Sequence, residues 1–213
     1  RTLIDNLDLR WEWFPDAEEV VSLGVFAKRF QDPIERVEQA TSGAYQATFQ
    51  NALSAQNFGA ELELRKRLGF VGGWARGLTG FVNLTVMDSR VTLDTARGLT
   101  VTDRERRMVG QAPYVVNTGV TYANTDGRWT ATLLYNRVGE RIVAAGVVPL
   151  PNIIERPRDV VDLSLRFPVT GALSARIDAR NLLDARYRFT QGTLEREGWN
   201  VGRTFQVGFS VRP

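Results

Sequence analysis

Charged side chains recur at every second position inside otherwise apolar stretches of this sequence. Asp8, Arg10 and Glu12 do so, as do Glu61, Glu63 and Arg65, then Asp162 and Arg166, and finally Arg176, Asp178 and Arg180. A second set of arginines falls in or beside long polar stretches: Arg104, Arg106 and Arg107, with Arg137, Arg141, Arg186 and Arg188. Two kinds of chemistry suit these residues. Carboxylates and guanidinium groups at matched spacing pair across neighbouring strands. Guanidinium forks also grip the oxyanions of a ligand in two-pronged contacts, so the second set is a candidate anion-binding group. Its plainer role is solvated loop charge, or contact with lipid phosphates. Histidine and cysteine are both absent, which removes disulfides, the usual zinc ligand sets and any triad with a histidine base. No serine and aspartate converge on one strand end. The sequence therefore predicts neither an enzyme nor a metal or cofactor site.

The elements that must position these charges are strands. Leu7, Leu9, Trp11 and Trp13 alternate with Asp8, Arg10 and Glu12, so each set lies on its own face of a strand. The same period of two marks eight further segments: 21–27, 58–65, 80–86, 114–122, 129–135, 161–167, 173–179 and 205–211. Phe26 and Leu134 break the alternation. Short turns at 15–18, 69–77, 124–127 and 168–171 alternate with long connections at 31–56, 88–112, 139–158 and 184–202. Three prolines in the third long connection argue against ladder pairing inside it. Gly59, Gly119 and Gly208 are expected to relieve crowding in the sheet rather than to bind anything.

Charges of both signs on one face of a strand need water or a partner, and an apolar opposite face suits lipid. Strictly alternating loop lengths put all short turns at one end of an up-and-down meander, the asymmetry of outer-membrane barrels. The aromatics fall in two groups on the apolar face. Trp13, Phe70, Trp74, Tyr122, Trp129 and Phe167 lie near the short turns, and Tyr114, Tyr135 and Tyr187 toward the long connections, with Trp11, Phe205 and Phe209 as further interface aromatics. Amphipathic rings collect at the two bilayer interfaces in this way. No apolar run approaches the length of a membrane-spanning helix. The net charge of +3, with both signs interspersed, indicates no nucleic-acid surface. The expected fold is all-β: an antiparallel up-and-down transmembrane β-barrel.

Seven stretches make the chain resemble the C-terminal part of the barrel of a TonB-dependent outer-membrane receptor. They lie at 6–14, 25–30, 33–35, 57–63, 110–117, 180–187 and 202–210. The most specific are Gln111-Ala112-Pro113-Tyr114 and Asn181-Leu182-Leu183-Asp184. The resemblance implies a receptor that imports a scarce small-molecule ligand, such as an iron–siderophore complex or cobalamin, across the bacterial outer membrane. It also implies outer-membrane lipid, an N-terminal plug domain and the TonB complex as partners. The charges on the wet face, Arg10, Glu12, Glu61, Glu63, Arg65, Asp162, Arg166, Arg176, Asp178 and Arg180, then line the lumen wall, pairing across strands or meeting the plug.

Nine strands are odd in number and leave two costly edges, whereas receptors of this class close with about 22 strands. Residues 1–213 are thus expected to be the C-terminal portion of a larger barrel, with plug and early strands upstream. The chain ends on Val211-Arg212-Pro213 instead of the aromatic usual in such barrels. Either the barrel continues past Pro213 or assembly recognition falls to Phe209. A passive porin and a soluble β-sheet binding module are the alternatives.

Overall fold

A computed structural model describes residues 1–41, 44–93 and 102–211; the terminal pair Arg212-Pro213 lies outside the described residues. The chain is built almost wholly of antiparallel strands. The first six are β1 (Leu3–Trp13), β2 (Val20–Gln31), β3 (Ile34–Thr41), β4 (Ala44–Asn51), β5 (Ser54–Arg67) and β6 (Leu78–Thr92). The short β7 (Glu105–Arg106) precedes β8 (Tyr114–Ala123), β9 (Thr130–Val138), β10 (Arg141–Ala144), β11 (Ile153–Glu155) and β12 (Arg158–Thr170). The last four are β13 (Leu173–Arg180), β14 (Arg186–Gln191), β15 (Leu194–Asn200) and β16 (Thr204–Val211).

All nine segments read from the alternation are neighbours in one meander, in the order β1-β2-β5-β6-β8-β9-β12-β13-β16. The sheet is open, with β1 and β16 at its edges among the described residues. It is a fragment of an up-and-down barrel wall. Register keeps the two faces apart across the whole sheet. Leu9, Val25, Ala60, Val86 and Tyr114 stand in one apolar row, and Glu12, Ser22, Glu63, Asn83, Asn117 and Asn136 in one polar row. A slip of one residue at any ladder would mix the rows.

The long connections differ from expectation, because each carries β structure. The first is the β3–β4 hairpin, the second holds β7 against the end of β6, and β10-β11-β14-β15 form a separate four-stranded sheet. The prolines do not prevent the β10–β11 pairing, because Pro149 and Pro151 lie between its two strands and Pro157 beyond them. The hairpin turn after β12 is also shifted. β12 runs through Pro168, with a register irregularity between Pro168 and Thr170, and Gly171 turns the chain at φ 45°.

Both exceptions to the alternation stand opposite a glycine. Phe26 stands directly opposite Gly59, and Leu134 and Phe81 flank Gly119 from either side. A Cβ at Gly59 would lie 2.5 Å from the Val86 carbonyl oxygen and 2.6 Å from Cζ of Phe26. One at Gly119 would lie 2.8 Å from Cζ of Phe81. Each ring therefore lies across a neighbouring strand where no side chain obstructs it. Gly208 stands on the edge strand β16, where a Cβ would have nothing within 4 Å among the described residues.

Among the described residues, a small apolar core forms at the long-connection end. Ala52, Ala55, Val91 and Leu93 are buried there, with Phe30 and Met108 packed against them. At the opposite end the 14–19 turn is clipped to the end of β5. Glu19 is buried, accepts from Lys66 Nζ at 2.6 Å and from the Arg67 backbone N–H at 3.1 Å, and Arg67 pairs with Asp16 at 2.6 Å. The Lys66 hydrogen bond is the main cause holding the Glu19 carboxyl below its ordinary range, against the opposing effect of burial.

Two outcomes follow for the folded barrel in detergent. Gly59→Ala is expected to cost about 1–3 kcal/mol through overpacking, read from urea unfolding midpoints. Because the folded Glu19 carboxyl titrates below its unfolded value, its contribution is complete above the unfolded pKa and fades as pH falls through the folded one. The wild type should thus exceed Glu19→Gln in stability at neutral pH and converge with it in acid. Parallel pH profiles for the two proteins would remove Glu19 from the account.

Candidate functional site

Chemistry-bearing side chains gather in two places, the polar face of the meander and the layer formed by the long connections. On the polar face Arg10 is the hub. Its Nε donates to Glu12 at 2.6 Å, and its second amino group reaches across β2 to Glu63 at 2.8 Å. Gly24 and Ser22, the β2 residues beneath that bridge, are small enough to let it pass. Farther along, Asn136 donates to Asn117 at 2.6 Å, the Thr121 and Thr132 hydroxyls pair at 3.2 Å, and Arg176 pairs with Asp178 at 2.9 Å.

The expected pairing of opposite charges across strands is made by Arg10 and Glu63 and not by the other described wall charges. Arg166 stands directly opposite Arg176, a like-charge arrangement that leaves Arg166 without an ion-pair partner among the described residues. Asp162 serves the backbone instead, accepting from the Asn181 N–H at 2.8 Å. Glu61 lies opposite Gly24, Arg180 opposite Thr204, and Arg65 is exposed between Val20 and Phe81.

The long-connection layer is knitted from all four of its segments, the fourth through the β11–β14 ladder. Arg106 and Glu35 form an ion pair in which the two side chains are 4% and 3% exposed. Glu35 also accepts from the Val109 N–H at 3.2 Å. The Gly110 N–H donates to Ile142 O at 2.7 Å, and Asn152 donates to Asp103 at 2.7 Å. Arg106 is therefore a buried tie between segments, which corrects its reading as a ligand contact: an enclosed guanidinium cannot meet a solute. Arg104 and Arg107 remain exposed beside it.

Arg137 is likewise no loop residue. It lies in β9 on the apolar face, donating to Tyr114 Oη at 3.0 Å and to Asp159 at 2.6 and 2.7 Å, while Tyr135 donates to Asp159 at 2.5 Å. Both tyrosines stand at the long-connection end of the apolar face, as expected. Trp11, Trp13, Tyr122 and Phe167 share that face toward the short turns, where Trp129 stacks on Phe167 at 5.4 Å; Trp74 is exposed in the adjoining turn. Phe205 and Phe209 hold the same face of β16, opposite Ala179 and Ala175.

Tyr187 belongs elsewhere, in the four-stranded loop sheet. It stacks on Trp199 at 5.2 Å, Phe189 stacks on the same ring at 5.2 Å, and the Arg158 guanidinium lies 3.8 Å over Tyr187. On the opposite face of β14, Arg186 and Arg188 converge on Glu195 at 2.6 and 3.2 Å. Arg141 is committed to Glu155 at 2.7 Å. Arg156, Arg158, Glu195 and Trp199 are members of this layer that were not singled out from the sequence. The signal was present in the period of two through Arg186-Tyr187-Arg188-Phe189, hidden because neither face is aliphatic.

The Asn181-Leu182-Leu183-Asp184 stretch aims this sheet. Asn181 and Asp184 adopt φ of 55° and 51°, a conformation that these two residue types tolerate. Asn181 accepts from the Ala185 N–H and donates to Gly202 O, both at 2.8 Å, fixing where β14 leaves and β16 re-enters. The Arg186–Glu195–Arg188 cluster carries one uncompensated positive charge and is at least half exposed at both arginines. An anionic group arriving from the long-connection end would meet it.

Comparison with known proteins sets these features in a family. The family described as TonB dependent receptor-like, beta-barrel matches residues 3–182. No curated protein matches the sequence significantly. Among solved structures, the ferric yersiniabactin uptake receptor FyuA of Yersinia pestis superposes with a TM-score of 0.68 at 20% identity, over 99% of this chain and 30% of that one. The ferric enterobactin receptor of Pseudomonas aeruginosa, solved with enterobactin, gives 0.63 at 17%, over 99% and 31%. The pyoverdine receptor FpvA of the same species gives 0.57 at 16%, over 97% and 29%. The chain thus spans under a third of the length of each of these receptors, which are transport receptors rather than enzymes. By the match over most of its length, and by the barrel-wall meander that it folds into, the chain belongs to the TonB-dependent receptor-like β-barrel family.

Proposed function

We propose that residues 1–213 are the C-terminal portion of the barrel of an outer-membrane receptor that imports a scarce anionic ligand, such as a ferric siderophore, with energy from the TonB complex. The observation that carries this reading is the division of one sheet into a bare apolar face and a hydrogen-bonded charged face, beneath a knitted layer of long connections. Leu23, Val25 and Phe58, on inner strands of the sheet, are 52%, 53% and 59% exposed. A soluble module of this size would not leave so continuous an apolar surface in water, whereas lipid covers it without cost.

In this reading the long-connection end faces the cell exterior, and Arg186, Arg188, Arg104 and Arg107 meet the incoming ligand. The polar face, with Arg10, Glu12, Glu61, Glu63, Arg65, Asp162, Arg166, Arg176, Asp178 and Arg180, lines the lumen against a plug domain upstream. Arg166, opposed by Arg176, is the wall charge in greatest need of a partner on that domain.

The test uses the whole receptor in a strain lacking its own siderophore receptors, supplied with a panel of labelled ferric chelates. Uptake of one anionic chelate is expected, abolished by deletion of TonB. Arg186→Ala with Arg188→Ala should weaken its binding roughly tenfold, the loss of two partly exposed charge contacts. TonB-independent uptake together with a large steady conductance in planar bilayers would establish a passive porin instead.

A further inference from the structure

The apolar face of the meander does not end in neutral residues. One step beyond the row Leu7, Ala27 and Phe58, toward the long connections, stands the row Asp5, Arg29, Gln56 and Arg90. All four of its side chains are exposed, and all lie on the apolar parity. Arg29 and Arg90 have no hydrogen-bond or ion-pair partner among the described residues. They flank Gln56 from the two neighbouring strands, so their backbones are about 10 Å apart. Below them the surface sinks. Ala27 is the small residue between Leu7 and Phe58, and a cavity of about 530 Å³ is lined there by Leu7, Ala27, Phe58, Arg29, Gln56 and Asp5, among others. The opposite face at this level is occupied by the chain itself, where Phe30 and Met108 pack against the buried cluster and the Met108 N–H donates to Ser89 at 3.3 Å.

We propose that Arg29 and Arg90 bind the phosphate of a single lipid headgroup, with Gln56 donating between them and an acyl chain lying over Ala27 between Leu7 and Phe58. The inference rests on the membrane setting proposed above. Guanidinium forks match phosphate oxygens in geometry and charge. A cationic group at the edge of an apolar band sits where headgroup phosphates lie. Asp5 and Asp88 flank the arginines on the same face. Their charge makes the site suited to one phosphate and repels a polyanion. Tyr114, in the Val86 row of the apolar face, supplies the amphipathic ring expected at the same interface.

The experiment places the whole receptor in phosphatidylcholine nanodiscs containing phosphatidic acid and reads retained lipid by native mass spectrometry. Wild type is expected to retain phosphatidic acid preferentially. Each arginine near the headgroup layer is worth about fivefold, so Arg29→Gln with Arg90→Gln should reduce retention about twenty-five-fold. Arg128→Gln, which removes a charge from a short turn, should leave it unchanged. Phe58→Ser should reduce it while preserving the preference for phosphate. Retention in the double variant equal to wild type would overturn the proposal, as would equal loss in Arg128→Gln. Displacement by inorganic phosphate as effective as by short-chain phosphatidic acid would show a bare anion site, and the lipid assignment would fall. Chelate uptake is read on the same preparations. Its failure with lipid preference intact sinks the transport reading alone, and lost preference with intact uptake sinks only the lipid site.

Discussion

The structure depends on the requirement that every backbone N–H and C=O in the sheet be met by the strand beside it. In lipid no water is available to meet them, and each unmet group costs several kcal/mol. Nine neighbouring strands satisfy one another through antiparallel ladders that are regular except at Pro168–Thr170. Once the ladders are set, the register is set, and the period of two sends alternate side chains to opposite faces. Everything else about the two faces follows from that geometry. It also explains why the edge strands β1 and β16 need further strands of the same barrel beside them.

The polar face shows how side chains of uneven size share a wall whose strands lie only about 4.8 Å apart. Large side chains on one strand are matched by small ones on the next. Phe26 lies over Gly59, Phe81 over Gly119, and Arg10 crosses Gly24 and Ser22 to reach Glu63. Residues that look misplaced in a single strand are thus correctly placed in a pair of strands. Exposed ion pairs such as Arg10–Glu63 contribute little stability on their own. Their value is to hold long side chains flat against the wall.

The meander was legible because alternation and turn residues are local signals, readable within about ten positions of one another. Trp11, Trp13, Tyr114, Tyr122, Tyr135, Phe167, Phe205 and Phe209 fall on its apolar face for the same reason, whereas Tyr187 lies in the loop sheet. The loop sheet was not legible. In β14 arginine alternates with aromatic residues, and β15 carries charges with a single tryptophan, so neither strand has an aliphatic face to mark it. Strand β7 spans two residues and carries no period at all. The burial of Arg106 was beyond local reading, because its partner Glu35 is 71 positions away. Nothing in Asp103-Arg104-Glu105-Arg106-Arg107 distinguishes the one arginine that is enclosed from the two that are free. Arg137 was grouped with the loop arginines although its strand runs on to Val138, and its partner Asp159 is 22 positions away.

That buried pair is better understood as a device of arrangement than of stability. Replacing such a pair with well-packed apolar residues is often neutral or favourable, yet removing one partner typically costs about 3–5 kcal/mol. The energy therefore penalises wrong arrangements more than it rewards the right one. Glu35 sits at the start of the β3–β4 hairpin, and Arg106 sits on β7, hydrogen-bonded alongside the end of β6. Pairing them fixes the first long connection against the second, and Gly110 with Ile142 fixes the second against the third. The fourth connection joins through β11 and β14. An ion pair that no ligand can touch thereby sets the position from which Arg186 and Arg188 present their charge.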